Sequence, residues 1–174
     1  MNQSIWDKAV AFHGHECPGL AIGVRVAEAA RDRIKITRAL DEEIACITEN
    51  DACGVDAIQC LLGCTIGKGN LIYKATGKMA FTLINRASGE AVRFYFKGKR
   101  GAMSLDAYKD YILSAPLGEL FNSRPMDGEY PEKAKSFESI ACESCGEEAP
   151  ENMVRIQGGK KVCMDCCHAY SRGW

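Results

Sequence analysis

No stretch of the 174-residue sequence approaches the ~18 uncharged apolar residues of a membrane-crossing helix. The opening residues, Met1-Asn-Gln-Ser-Ile-Trp-Asp7, lack a basic segment followed by an apolar one. Secretion and membrane insertion are therefore not expected, and a cytoplasmic setting is. An excess of one charge is also lacking. There are 22 Lys and Arg against 23 Asp and Glu, a net charge of −1, so the chain as a whole is not built to coat nucleic acid. It has no internal repeat and no low-complexity tract. With 47% hydrophobic residues it can form a core, which excludes global disorder.

Cysteine, by contrast, is abundant: ten in a chain with cytosolic character. In a reducing compartment, clustered cysteines point to metal or redox chemistry rather than disulfides. Cys142-x-x-Cys145 is followed after seventeen residues by Cys163-x-x-Cys166. Each pair offers two thiolates to one tetrahedral ion, and two pairs close its coordination shell. The spacing predicts a structural zinc site at Cys142, Cys145, Cys163 and Cys166, with a hairpin between the two knuckles. Cys167 and His168 are expected to begin a helix after the second knuckle, as in a treble clef. Such a unit, residues 138–174, carries a net charge of −2, which favours protein docking over nucleic acid.

Upstream, the periodicity predicts a short helix over 5–12 and a long amphipathic helix over 18–34, with Pro18 at its first position and Cys17 as its cap. A buried strand is expected at 44–48 and a helix ending at Gly63. Three strand-like runs, 71–75, 79–85 and 91–97, are separated by turn residues and read as an antiparallel meander. Helices follow at 104–113 and about 117–121, and residues 122–137 read as a linker. The expected class is α+β: a small antiparallel sheet packed with helices over residues 1–121, plus the C-terminal zinc-binding, treble-clef-like finger.

His13-Gly-His15-Glu-Cys17-Pro-Gly19 gathers two of the three histidines beside a cysteine. A thiol at a helix N-terminus faces the positive end of the dipole, which favours the thiolate. Cys17 is thus a candidate nucleophile or soft-metal ligand, with His15 two residues away as a partner. Asp51 and Cys53 open the next helix, and Cys64 follows it. If the helix instead runs through 53–64, Cys53, Cys60 and Cys64 fall within ~20° of one stripe, a thiol-lined wall or equally small core residues. For Cys46 and Cys60, packing is the expectation. Gly63-x-x-x-Gly67-Lys68-Gly69 is one residue short of a nucleotide phosphate loop. Lys68 and Asn70 are nonetheless candidates for holding an anion. Residues 68–100 carry eight basic and one acidic side chain, a basic block within a neutral protein.

These segments taken together, Phe12-His-Gly-His-Glu-Cys-Pro-Gly-Leu20, Asp51-Ala-Cys-Gly-Val-Asp-Ala-Ile-Gln59 and Gly63-Cys-Thr-Ile-Gly-Lys-Gly-Asn70, resemble the E-type subunit family of formylmethanofuran dehydrogenase (FmdE) over residues ~5–125. The longer members of that family are similar also in carrying a treble clef after the core. The resemblance implies an α+β homodimer associated with one-carbon metabolism in anaerobes, next to an enzyme that interconverts carbon dioxide and formylmethanofuran on a tungsten or molybdenum pterin held by other polypeptides of the complex. It points to His15, Cys17, Asp51, Cys53 and Cys64 as the polar cluster, with Lys68 and Asn70 secondary. A second metal in the core, at His15 and Cys17 with Cys53 or Cys64, is the corresponding expectation. The alternative is a non-enzymatic adaptor or regulator that binds a metal or oxyanion in its core and docks partners through the finger. A further alternative is a stand-alone thiol enzyme with Cys17 as nucleophile and His15 or His13 as base.

Overall fold

The computed structural model describes residues 3–127 and 130–169. They divide into two compact units, residues 1–134 and 135–174.

In the first unit, α1 (Gln3–His13) leads through Gly14 into α2 (Pro18–Ile34), then β1 (Ile44–Thr48), α3 (Gly54–Leu62), β2 (Leu71–Tyr73), β3 (Ala80–Asn85), β4 (Glu90–Phe96), α4 (Leu105–Ser114), α5 (Leu117–Leu120) and β5 (Phe121–Pro125). The five strands form one sheet in the order β2-β1-β3-β4-β5. The antiparallel meander expected from the turn residues is only partly present. β3 and β4 form the hairpin, but β2 leaves it and pairs parallel with β1 at the opposite edge. β2 must return from α3, and the α3 connection delivers it alongside β1 in the same direction, as a crossover does. Residues 122–125, expected within a linker, continue the sheet as β5 against β4.

Alternation along the strands sets the two faces. Leu83, Val92, Phe94 and Phe121 point to α2 and α3 and form the main core with Leu20, Val24, Ile58 and Leu62. Ala45, Ile84 and Ala91 point to the other face, where Met126 and Tyr130 partly cover them. The Tyr130 hydroxyl donates to Met126 O at 2.8 Å, and Arg86 donates to Pro131 O at 2.7 Å, which ties the chain after β5 down across that outer face.

The α2 pattern works as its sequence dictates, since Leu20, Val24, Ala27, Ala30 and Ile34 are all buried along one side. α2 and α3 touch backbone to backbone at Gly23 and Gly54. A Cβ on Gly23 would lie 2.7 Å from the Gly54 Cα, so no larger residue fits there without moving a helix. The apolar side of residues 104–121 is largely covered within the chain: Tyr108, Ile112 and Phe121 are buried, and Leu105 stays widely exposed, at 60%.

The second unit holds two two-stranded sheets, β6 (Ser139–Ala141) with β7 (Glu148–Pro150), and β8 (Val154–Gln157) with β9 (Lys160–Cys163). Residues 167–169 are not helical, and the remainder of the helix expected after the second knuckle lies outside the described residues.

Candidate metal centres

The finger is assembled by two matching turns. The Gly146 N–H donates to Cys142 O at 2.8 Å and the Cys167 N–H to Cys163 O at 2.9 Å, so each C-x-x-C curls into a knuckle. The four sulfurs of Cys142, Cys145, Cys163 and Cys166 lie within 4.8 Å of one another. Backbone N–H groups, that of Cys145 first, point at the Cys142 sulfur and bring its pKa down to about 6, the direction a metal-binding thiolate needs. Cys167 contributes its backbone to the second knuckle. His168 is held by its backbone, with Gln157 Nε2 donating to its carbonyl at 2.7 Å. Neither belongs to the tetrad.

The core centre forms where two helix N-termini meet. Cys17 precedes α2 in extended conformation, and its sulfur accepts the Leu20 N–H at 3.3 Å. Cys53 precedes α3. Gly19 lets the helices approach, for a Cβ there would sit 3.1 Å from the Cys53 Cβ, tighter than an ordinary contact. His13, the last residue of α1, completes the group. Its Nε2 is 3.8 Å from the Cys17 sulfur, and its Nδ1 meets Asp56 Oδ2 at 2.7 Å. Asp56 in turn accepts from Gln59 Nε2 at 3.1 Å. Cys53 and Asp56 are i and i+3 neighbours, so α3 supplies both a thiol and the carboxylate that orients the imidazole.

Ligand atoms of His13, Cys17 and Cys53 lie within 4.8 Å of one another. Donors around a tetrahedral zinc lie ~3.5–3.8 Å apart, so a modest closure would seat an ion. Two thiols and an imidazole are a soft donor set that fits zinc or a similar divalent metal. A carboxylate behind the ligating histidine is the usual support for such a metal.

His15, expected beside Cys17, is instead exposed and packs its ring 4.4 Å from that of His13. The turn at Gly14, with φ of +94°, points the α1 terminus rather than His15 at the thiols. Cys64 is also not in the group. It lies past the other end of α3, fully buried, donating toward Ile44 O, and burial pushes its thiol up to about 12. The thiol-lined wall is therefore not formed. Cys46, in the same buried region, is likewise raised by burial, and Cys60 donates to Lys8 O.

Lys68 and Asn70 serve the loop rather than an open anion cradle. Lys68 Nζ donates to Ala39 O at 3.2 Å. Asn70 is completely buried, its amide nitrogen donating to Asp41 O, Ile44 O and Gly63 O while its carbonyl accepts the Thr65 N–H. Asp51 is exposed and lies on a cavity of about 370 Å³ beside the core centre. His13, Cys53 and Asp56 share that cavity, and Val55, Ile66, Leu71 and Tyr73 form its apolar walls. His13 and Asp56 both lie within the sequence motifs. The pairing that joins them spans 43 residues and has no local signature.

Fold and centres define a class: an α+β core with thiols at two helix N-termini, followed by a four-cysteine zinc finger. Residues 12–143 match the family described as FmdE, molybdenum formylmethanofuran dehydrogenase operon, and the chain belongs to that family. Residues 135–172 match the prokaryotic DksA/TraR C4-type zinc finger. A protein of Archaeoglobus fulgidus described as a probable S-adenosyl-L-methionine-binding protein is 29% identical over 196 residues, which cover 94% of this chain and 52% of the relative. The chain thus spans about half the length of that curated relative. The crystal structure of a tungsten formylmethanofuran dehydrogenase FmdE-like protein from Syntrophus aciditrophicus has the same fold, with a TM-score of 0.67 at 24% identity, covering 94% of this chain and 90% of that one. Among the described residues no helix is long and apolar enough to cross a membrane.

Proposed function

We propose that the chain is a metal-dependent thiol protein whose core centre, His13, Cys17 and Cys53, holds a soft divalent ion with one position left open for a small substrate. The observation that carries this is the convergence of two thiols with an imidazole whose second nitrogen is bound by a carboxylate. Three protein ligands are the pattern of sites that keep a position for water or substrate, whereas the four-cysteine finger is closed. When bound, the ion supplies Lewis-acid activation at that position.

The chain's own residues do the rest. Asp56 fixes His13 with Nε2 free to ligate. Val55, Ile66, Leu71 and Tyr73 give one side of the cavity an apolar lining. Asp51, which has no partner among the described residues, is available at its mouth to orient a ligand or take a proton. Family membership supports a role in one-carbon chemistry beside formylmethanofuran dehydrogenase or another pterin-dependent enzyme, as a homodimer with the finger as docking module.

A second reading follows from the Archaeoglobus relative, namely S-adenosylmethionine in the same cavity. The cavity favours it in one respect: Asp51 and Asp56 line it, and among the described residues no Lys or Arg does. That suits a sulfonium cation better than the anion expected from the sequence.

Metal analysis of the full chain, purified anaerobically, tests the core centre. Two metal ions per chain are expected. Cys17→Ser should remove one of them, and Asp56→Asn should weaken its binding ~10–100-fold while leaving the finger's zinc in place. A single zinc that disappears entirely in Cys142→Ser would refute the core site. Calorimetric titration of the metal-loaded chain with S-adenosylmethionine then decides the second reading.

A further inference from the structure

Neither metal centre uses the basic block of residues 68–100. Much of it emerges on the sheet face turned away from α2 and α3. There one cross-strand row runs from Ile72 through Ile47, Thr82 and Arg93 to Arg124. Arg93 and Arg124 are directly opposed on neighbouring antiparallel strands. Like charges so placed destabilise the pair unless an anion lies between or beside them.

Protein groups neutralise only part of that charge. Glu49 binds Arg93 Nε at 2.5 Å and accepts the Thr76 hydroxyl at 2.9 Å. The two Nη atoms of Arg93 and the guanidinium of Arg124 make no hydrogen bond among the described residues, and the Lys74 and Lys78 ammonium groups make no ion pair. All four side chains line one cavity of about 330 Å³, against two carboxylates, Glu49 and Asp127. Thr82 lies on the same cavity. It is only 5% exposed, and its hydroxyl has no hydrogen-bond partner among the described residues. The hydroxyl is therefore free to donate to an acceptor bound in the cavity.

We infer that this cavity binds a small molecule through an oxyanion, phosphate or carboxylate, held between the free Nη atoms of Arg93 and the Arg124 guanidinium, with the Thr82 hydroxyl donating from the floor. Arginine's planar fork matches either oxyanion in bidentate fashion. Glu49 prevents Arg93 from swinging away, since it fixes Nε and leaves the outer nitrogens without a hydrogen-bond partner among the described residues. Lys74 and Lys78, at the exposed rim, add attraction that salt screens. This site is separate from the core metal centre and does not depend on it.

The test uses the full chain, with inorganic phosphate and succinate as probes and sodium chloride at matched ionic strength as reference. Phosphate or succinate should raise the melting temperature beyond the chloride effect, and the stronger of the two identifies the oxyanion. Arg124→Gln should weaken binding ~10-fold, the loss of one charge-assisted contact. Thr82→Val, which keeps the shape and removes the hydroxyl, should weaken it as well. Without ligand at low salt, Arg124→Gln should melt no lower than the parent, because it removes a repulsion. The inference is overturned if both probes act no more strongly than chloride, or if their effect is unchanged in Arg124→Gln and Thr82→Val. A response to a short oligonucleotide alone would overturn it too.

Discussion

Replacing Gly23 with alanine should pull apart the two thiols of the core centre without touching either. Cys17 caps α2 and Cys53 immediately precedes α3, so the distance between the sulfurs follows the distance between the helices. That distance is set where Gly23 meets Gly54. The added methyl carbon would sit 2.7 Å from the Gly54 Cα and nearer still to the Gly54 carbonyl oxygen. Carbon atoms rest ~3.5–4.0 Å apart, so the helices must separate by ~1 Å. Overpacking of this kind costs ~1–3 kcal/mol in stability. A metal site tolerates ~0.2 Å in its ligand distances, so a shift of that size should cost ~10-fold or more in affinity. Competition against a graded series of chelators measures the core metal, and the finger's zinc serves as an internal reference. Gly118→Ala is the control, because nothing lies within 4 Å of a Cβ at that position. Gly23→Ala with parental core affinity and parental melting temperature would refute the reasoning.

Cys142→Ser should cost the finger its zinc and expose residues 135–174 to protease while the core keeps its melting transition. Zinc content and limited proteolysis check this. Asn70→Ala should leave metal content unchanged but destabilise the core by ~3 kcal/mol or more, since it strands several buried backbone groups at once; urea denaturation reads it. The hydrogen bond from Arg93 holds the Glu49 carboxyl below its ordinary range, against an opposing push from burial. A lowered folded pKa gives stability that is present above the unfolded value of ~4.3 and lost as pH falls through the folded one. Glu49→Gln should therefore flatten the acid limb of the stability curve below pH ~4 and leave the alkaline limb unaltered.

By itself the sequence determined what is local. The two C-x-x-C pairs carry their own geometry in four-residue turns, so the zinc finger was legible from spacing alone. α2 was legible to its ends, because Pro18 and Cys17 mark its start and its apolar residues repeat at helical period. That Cys17 and Cys53 stand at helix N-termini was legible for the same reason. Strand order was not, since an isolated run such as Leu71–Tyr73 has no preference between a hairpin with β3 and a parallel place beside β1. Nor was the membership of the core centre. His13 and His15 both lie within a few residues of Cys17, and only the turn at Gly14 and a carboxylate 43 residues away select His13. Cys64 shares a stripe with Cys53 on a helical projection, yet α3 ends before it and the chain carries it into the interior. The opposition of Arg93 and Arg124 likewise exists only because β5 returns to pair with β4. Contacts between residues far apart in sequence are fixed by which apolar faces must be buried together, and that is decided only when the whole chain packs.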